Sequence, residues 1–135
     1  MMNNETLTAR APITLSILRI MSGLLFLSYG TQKVLSFPAG ERAGSALSLD
    51  GPGAYSGFIE LVTGALIALG LFTRPAAFLA SGTMAAAYFI GHAPQGFFPV
   101  NNGGAGAILF CFVFLYFVFA GAGPISVDHA RRTTP

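Results

Sequence analysis

The sequence contains few charged residues. Asp, Glu, Lys and Arg together make up 9% of the 135 residues, against about 25% in ordinary soluble domains. Hydrophobic residues reach 53%, and they occur in blocks of about 17 to 25 residues, the length that spans a bilayer. These blocks lack the alternation or heptads of a soluble core. The composition excludes an ordinary soluble domain and predicts a membrane protein.

Cysteine and histidine are also scarce. Cys111 is the one cysteine, so an intramolecular disulfide and dithiol chemistry within the chain are excluded. His92 and His129 are predicted at opposite membrane faces without a cysteine or carboxylate cluster, so no metal site is expected. The seven basic residues are spread over two membrane faces and form no phosphate-binding stripe, so no nucleic-acid partner is expected.

Four apolar blocks predict four transmembrane helices. Glycine, proline and polar residues separate them. The fold class is therefore all-α, a polytopic bundle of four transmembrane helices, with residues 1–135 forming a single domain. The first block exceeds the apolar core of a secretion signal, about 7–15 residues, and is expected to stay in the mature chain. The four blocks run from Ile13 to Val34, Ala54 to Phe72, Ala76 to Gly91 and Gly104 to Ala122.

Basic residues are distributed unequally between the two ends of these helices. The positive-inside rule therefore predicts that both termini are cytoplasmic. One end holds Arg10, Arg19, Arg74, Arg131 and Arg132, and the other holds Lys33 and Arg42 together with Glu41 and Asp50.

The connections between the helices carry weaker signals. Thr73 is the predicted cap of the third helix, with Pro75 in its first turn, which indicates a tight hairpin between helices two and three. The connection from Leu35 to Gly53 is long. Together with the connection after His92 it is either a lid over the bundle mouth or a plain link.

The ionisable residues inside the apolar blocks predict a polar interior. At 100° per residue, Arg19, Tyr29 and Lys33 lie in one stripe of the first helix, about 120° wide. Glu60 shares a similar face of the second helix with small residues. A charge near the bilayer centre costs about 2.5–3.5 kcal/mol, so such groups normally face a protein interior or a wet cavity. We therefore predict one cluster of these four side chains, with Gln32 as a further member. The alternative for Arg19 is snorkelling to the membrane surface.

Several ordered motifs resemble the DoxX family of small bacterial inner-membrane proteins. They are Arg19, the G-x-Q-K end of helix one at Gly30 to Lys33, Glu60, the L-F-T-R turn at Leu71 to Arg74, and G-P-x-S-x-D at Gly123 to Asp128. The resemblance spans nearly the whole chain and implies a multi-pass protein of the bacterial inner membrane. Two positions depart from it, because family members often have histidine at Tyr29 and an acidic residue at Ala105.

The resemblance implies an accessory role in membrane redox or oxidative-stress physiology. Family members are associated with quinone-linked sulfur oxidation, so a quinone or another small lipophilic molecule is the candidate ligand. Under this hypothesis Glu60 is the catalytic residue that exchanges a proton, and Tyr29, Gln32, Lys33 and Arg19 bind or orient the ligand. No flavin, haem, iron–sulfur or nicotinamide motif is visible, so any electrons come from a partner or a diffusing carrier.

A second hypothesis is a non-enzymatic bundle. The chain would then be a carrier or an assembly partner for other membrane proteins, with its buried charges fixing the helix register. Under the first hypothesis, by contrast, any catalysis would be that of a subunit in a quinone-linked oxidoreductase. The expected partners are the lipid bilayer, other membrane or redox proteins, and further copies of the chain, since glycine-rich helix faces favour association.

Overall fold

The computed structural model describes residues 3–39 and 52–133, and within these ranges every regular element is helical. This confirms the all-α class. Residues 40–51, with Glu41, Arg42, Asp50 and most of the first connection, lie outside the described residues. The elements in chain order are α1 (Asn4–Ala9), α2 (Ala11–Leu35), α3 (Pro52–Leu69), α4 (Thr73–Ala87), a π-helix (Tyr88–His92), a 3-10 helix (Ala93–Gln95), α5 (Pro99–Asn102), α6 (Ala105–Ala120) and α7 (Val127–Thr133).

Within the described residues, two helical stretches are long and apolar enough to cross a membrane. They are Ala11–Leu35 and Thr73–Gln95, the second being α4 with its π and 3-10 continuation. Two further apolar helices, Tyr55–Leu69 and Ala105–Ala120, are shorter. At about 1.5 Å per residue, Tyr55–Leu69 is about 23 Å long and Ala105–Ala120 is about 24 Å long. The helices lie close to the predicted blocks, whereas four membrane crossings remain a prediction.

Glycines bring α2 and α3 into backbone contact. A Cβ atom built on Gly64 would lie 2.7 Å from the backbone nitrogen of Leu27, and one built on Gly30 would overlap the backbone of Leu61. Side chains at either glycine would therefore push the two helices apart. This contact holds the polar residues of α2 and α3 at a short separation.

The stripe predicted on the first helix is largely confirmed as the buried face of α2. Arg19, Ser22, Phe26 and Gly30 are buried, whereas Tyr29 is 37% exposed. The other half of the core comes from α4 and α6, where small residues of α4 pack against aromatic rings of α6. The fully buried residues of the whole core include Phe26 of α2, Ile67 of α3, Ala77 and Ala80 of α4, and Phe114 and Phe117 of α6.

The start of α4 differs from the prediction. Thr73 is its first residue and makes no capping bond, since the N-terminal cap is Phe72 in the left-handed region without a side-chain hydrogen bond. Asp128 of α7 caps the helix instead, accepting hydrogen bonds from the backbone N–H groups of Phe72 at 2.9 Å and Thr73 at 3.0 Å. The prediction of Thr73 as the cap is therefore wrong, because a carboxylate distant in sequence supplies the acceptor.

Candidate functional site

Lys33 and Glu60 form an ion pair between α2 and α3. The Lys33 ammonium Nζ lies 2.7 Å from Glu60 Oε1. Ser56, one turn before Glu60, donates its hydroxyl to the same oxygen at 2.8 Å. Lys33 also approaches Ser56 Oγ at 3.4 Å. Lys33 stands in the last turn of α2, where a cation is favoured by the helix dipole. The predicted proximity of Lys33 and Glu60 is confirmed.

The two partners of this pair differ in burial. The side chain of Lys33 is 29% exposed, whereas that of Glu60 is 2% exposed. Glu60 Oε2 is buried and has no hydrogen-bond partner among the described residues. A buried acceptor left unpaired costs about 1–3 kcal/mol, and a charged one costs more. The pair is therefore half satisfied, with one carboxylate oxygen available to another group.

Glu60 borders a cavity of about 210 Å³. Its walls come from α2, α3, α4 and α6, and the π-helix also contributes a lining residue. Phe110 forms one wall, and its ring meets that of Tyr29 edge to face, with ring centroids 6.0 Å apart. The cavity therefore combines two charged groups with aromatic walls. The lining residues are Phe26, Tyr29, Lys33, Glu60, Met84, Ala87, His92, Gly103, Gly106, Ala107 and Phe110.

The π-helix supplies His92 to the cavity wall. Its Nδ1 lies 3.2 Å from the backbone oxygen of Asn102. Asn102 is itself fixed, because its side chain donates to the backbone oxygen of Gly96 at 2.9 Å and accepts from the backbone N–H of Gly104 at 2.8 Å. The loop before α6 thereby holds the imidazole ring in place.

An apolar groove of about 640 Å³ adjoins this cavity. The two spaces share Lys33, Ala87 and His92. The rest of the groove lies between α3 and α4 and is mostly apolar, with Ile59 and Ile90 among its lining residues. The two spaces therefore lie side by side, with these three residues between them or at their common edge.

Arg19 lies far from this cavity. At about 1.5 Å per residue, it is about 21 Å from Lys33 along the axis of α2. Its guanidinium donates to the backbone oxygens of Ala122 at 2.6 Å and Ile125 at 2.7 Å, both in the segment between α6 and α7. Only 1% of Arg19 is exposed, so it does not snorkel. The predicted single cluster is therefore wrong in including Arg19, because its guanidinium binds backbone oxygens at the other end of the bundle.

Gln32 also lies outside the cavity wall. Its side-chain nitrogen donates to the backbone oxygen of Pro38 at 3.1 Å, at an exposed position. It contributes to the end of α2 and to the segment that follows. Of the five predicted site residues, three line the cavity: Tyr29, Lys33 and Glu60.

A second polar region surrounds the opposite end of the bundle. It includes a cavity of about 590 Å³ near Arg74, Asp128 and Arg131. Burial acts to raise the pKa of Asp128, but hydrogen bonds from Thr73 and Phe72 and the nearby Arg131 outweigh it and lower that pKa below its ordinary value of 3.8. Asp128 thus stays ionised as the cap of α4.

Sequence reasoning missed His92 as a site residue, and it did not single out Phe110 among the phenylalanines of α6 that could wall a ligand site. The predicted topology could have indicated His92, because it places the end of the third helix and the end of the first helix at the same membrane face. Phe110 had no separate signal, since α6 carries aromatic residues around its whole circumference. Within residues 3–39 and 52–133, no group of three or more His, Cys, Asp or Glu side chains could hold a metal ion.

The ammonium–carboxylate pair and its aromatic cavity thus lie in an all-helical protein with two helices long and apolar enough to cross a membrane among the described residues. The family model of DoxX matches residues 14–93, so the chain belongs to the DoxX family, which is membrane-associated. The matched range contains Arg19, Lys33, Glu60 and His92.

A protein of Haemophilus influenzae is similar to this chain over nearly its whole length. It is 45% identical over 131 residues, which cover 95% of this chain and 96% of that protein, and it is described as an uncharacterized protein. No solved structure gives a significant match.

Proposed function

We propose that the chain is a polytopic protein of the bacterial inner membrane, crossed by α2, α3, the extended α4 and α6, with both termini cytoplasmic. Support comes from the two membrane-length helices and the two shorter apolar ones. Large apolar side chains also cover the outside, for example Leu25 at 53% and Phe112 at 64% exposure. Spans shorter than the hydrocarbon thickness are accommodated by local thinning of the bilayer.

We further propose that the Lys33–Glu60 cavity binds the polar head of a small lipophilic molecule of the quinone class. The observation that carries this is the buried Glu60 Oε2 without a described partner, beside an aromatic cavity that adjoins an apolar groove. Mostly apolar pockets with a few converging polar groups are the usual form of small-molecule sites. The head would lie by Glu60 and the apolar body in the groove.

The residues present fit such a ligand. Lys33 Nζ can donate a hydrogen bond to a ring oxygen, Glu60 Oε2 can accept one from a ring hydroxyl, and the rings of Tyr29 and Phe110 can pack against the head. When bound, a quinone supplies two-electron redox chemistry. The chain would then act as an accessory subunit in membrane redox or oxidative-stress physiology, with electrons supplied by a partner protein or a diffusing carrier.

Binding is tested with a variant that fills the cavity without touching the ion pair. A Cβ atom at Gly106, in the cavity wall, meets no atom within 4 Å. We expect purified protein in lipid nanodiscs to bind tetramethylbenzoquinone or its hydroquinone saturably, and Gly106→Leu to abolish this binding. Gly82→Leu is the matched control, because Gly82 is also helical and open and lines none of the cavities above. Absence of saturable binding of both redox forms would refute the proposal.

The second candidate is a carrier or assembly bundle in which the ion pair is structural. The observation in its favour is the backbone contact of α2 and α3 beside the pair, where Gly30 meets Leu61. Under this alternative Glu60→Gln lowers the melting temperature and the amount of folded protein. Under the ligand proposal Glu60→Gln stays folded and binds the ring ligand more weakly.

A further inference from the structure

We infer that the Lys33–Glu60 cavity selects a ligand whose polar head carries a hydroxyl group, so that a phenol or hydroquinone binds in preference to the corresponding quinone. This inference rests on the proposed function, which places a lipophilic ring in the cavity. It concerns the hydrogen-bonding character of that ring, which follows from the groups that the cavity presents.

The first argument is the unpaired oxygen of Glu60. In an ion pair with Lys33 at 2.7 Å, Glu60 is a carboxylate, and both oxygens of a carboxylate only accept hydrogen bonds. Oε1 already accepts from Lys33 and Ser56, whereas Oε2 has no partner among the described residues. A ligand must donate a hydrogen bond to satisfy it.

The second argument is the hydrogen-bond contact of His92. Its Nδ1 contacts the backbone oxygen of Asn102 at 3.2 Å. A carbonyl oxygen only accepts, so Nδ1 carries the hydrogen in this contact. In the neutral imidazole the other nitrogen, Nε2, is then an acceptor. The imidazole therefore adds a second acceptor to the residues that line the cavity.

The third argument is that a single hydroxyl group satisfies both members of the ion pair. A hydroxyl donates one hydrogen bond and accepts others. Placed beside the pair, it can accept from Lys33 Nζ, which has three N–H groups, and donate to Glu60 Oε2. A quinone carbonyl can accept from Lys33, but it leaves Glu60 Oε2 buried and unpaired. The cavity therefore distinguishes a hydroquinone from a quinone by the hydroxyl hydrogen that only the hydroquinone can donate.

The test compares three probes that share one ring: tetramethylhydroquinone, tetramethylbenzoquinone and the dimethyl ether of the hydroquinone. Each is titrated anaerobically into wild-type protein in nanodiscs. We expect the hydroquinone to bind about tenfold to a hundredfold more tightly than the other two, the range for one hydrogen bond to a charged group. Equal affinities, or tighter binding of the quinone, would overturn the inference while leaving the proposed function intact. Binding of none of the three would refute the proposed function itself.

Variants assign the selectivity to Glu60. Glu60→Gln replaces one acceptor oxygen by an NH₂ donor, so the preference for the hydroquinone should fall to within about threefold. Glu5→Gln is the matched control at an exposed position and should retain the preference. If Glu60→Gln does not fold, the wild-type comparison still decides, together with the infrared carboxylate bands. We expect these bands to shift with the hydroquinone and not with its dimethyl ether; unchanged bands would contradict the inference.

Discussion

Two buried ionisable groups, Arg19 of α2 and Glu60 of α3, lie toward opposite ends of the bundle and differ in their hydrogen-bond partners. At one end, the two terminal nitrogens of Arg19 donate to two backbone oxygens of the segment after α6, while its Nε has no hydrogen-bond partner among the described residues. At the other end, Glu60 faces Lys33 with one oxygen and a cavity with the other. Backbone carbonyls are fixed in the fold, so Arg19 acts as a structural tie. A carboxylate oxygen beside a cavity can be satisfied by a molecule from outside.

The comparison separates stability from binding. If it is correct, substitutions at the Arg19 end change the free energy of unfolding and leave the affinity for a ring ligand unchanged. Substitutions at the cavity end mainly change that affinity. Arg19, Lys33 and Glu60 all lie in the range matched by the DoxX family, so membership alone does not distinguish their roles.

The largest effect on stability is expected for Arg19→Met. The substitution keeps an apolar stem and leaves the buried oxygen of Ala122 and the oxygen of Ile125 without their donor. We expect a loss of about 2–4 kcal/mol in the free energy of unfolding, from about 1–3 kcal/mol for the buried oxygen left unpaired and about 1 kcal/mol for the hydrogen bond to the partly buried one. Thermal or denaturant unfolding in detergent measures it.

Arg10→Met is the control for this change, because Arg10 is exposed and precedes the same helix. It should leave stability within about 0.5 kcal/mol of the wild type. If Arg19→Met melted like this control, or if it abolished ring binding while remaining folded, the assignment of Arg19 as a structural tie would be wrong.

An intermediate effect is expected for Asp128→Ala, which removes the cap of α4 at the Arg19 end. Loss of a capping acceptor costs about 0.5–2 kcal/mol. The pKa of Asp128 is lowered in the folded state from its ordinary value of 3.8. Its stabilising contribution is therefore present at neutral pH and is lost as the pH falls below about 4 through the lower folded-state value.

Unfolding at pH 7 and in steps down to pH 3 checks this dependence. The stability difference between wild type and Asp128→Ala should shrink toward the acid end, while the other carboxylates titrate alike in both proteins. A difference of constant size across this range would contradict the role of the ionised carboxylate.

The smallest effect is expected for Gln32→Ala. Gln32 makes an exposed hydrogen bond to Pro38 and lies outside the cavity wall, although it is only one residue from Lys33. Stability should change by less than about 0.5 kcal/mol, and ring affinity measured in nanodiscs should equal that of the wild type. A clear loss of affinity would place Gln32 in the binding site.

Much of the fold was predictable because hydrophobic blocks mark helices directly. The pairing of Lys33 with Glu60 was also predictable, since both lie at similar depth on inward faces. The partner of Arg19 was not, because backbone oxygens at Ala122 and Ile125 have no side-chain signal in the sequence. Snorkelling was excluded only by the burial of the guanidinium under the segment after α6.

The cavity wall was predictable only in part. Tyr29 and Lys33 follow from the α-helical stripe, but His92 lies in a π-helix whose register departs from 100° steps. The cap of α4 was missed for a related reason, since Asp128 reaches it from a helix that begins after the last apolar block. Local propensity cannot indicate contacts made between such distant residues.

The π-helix from Tyr88 to His92 carries a consequence for sequence comparison. Its hydrogen bonds skip one residue more than those of an α-helix, so this stretch holds a residue that a regular continuation of α4 would not need. Deleting one residue here would rotate the imidazole and the following loop about the helix axis, so that they point in another direction. A relative could therefore align a histidine with His92 and still point it elsewhere, and the spacing between Ala87 and Ala93 is as informative as the histidine itself.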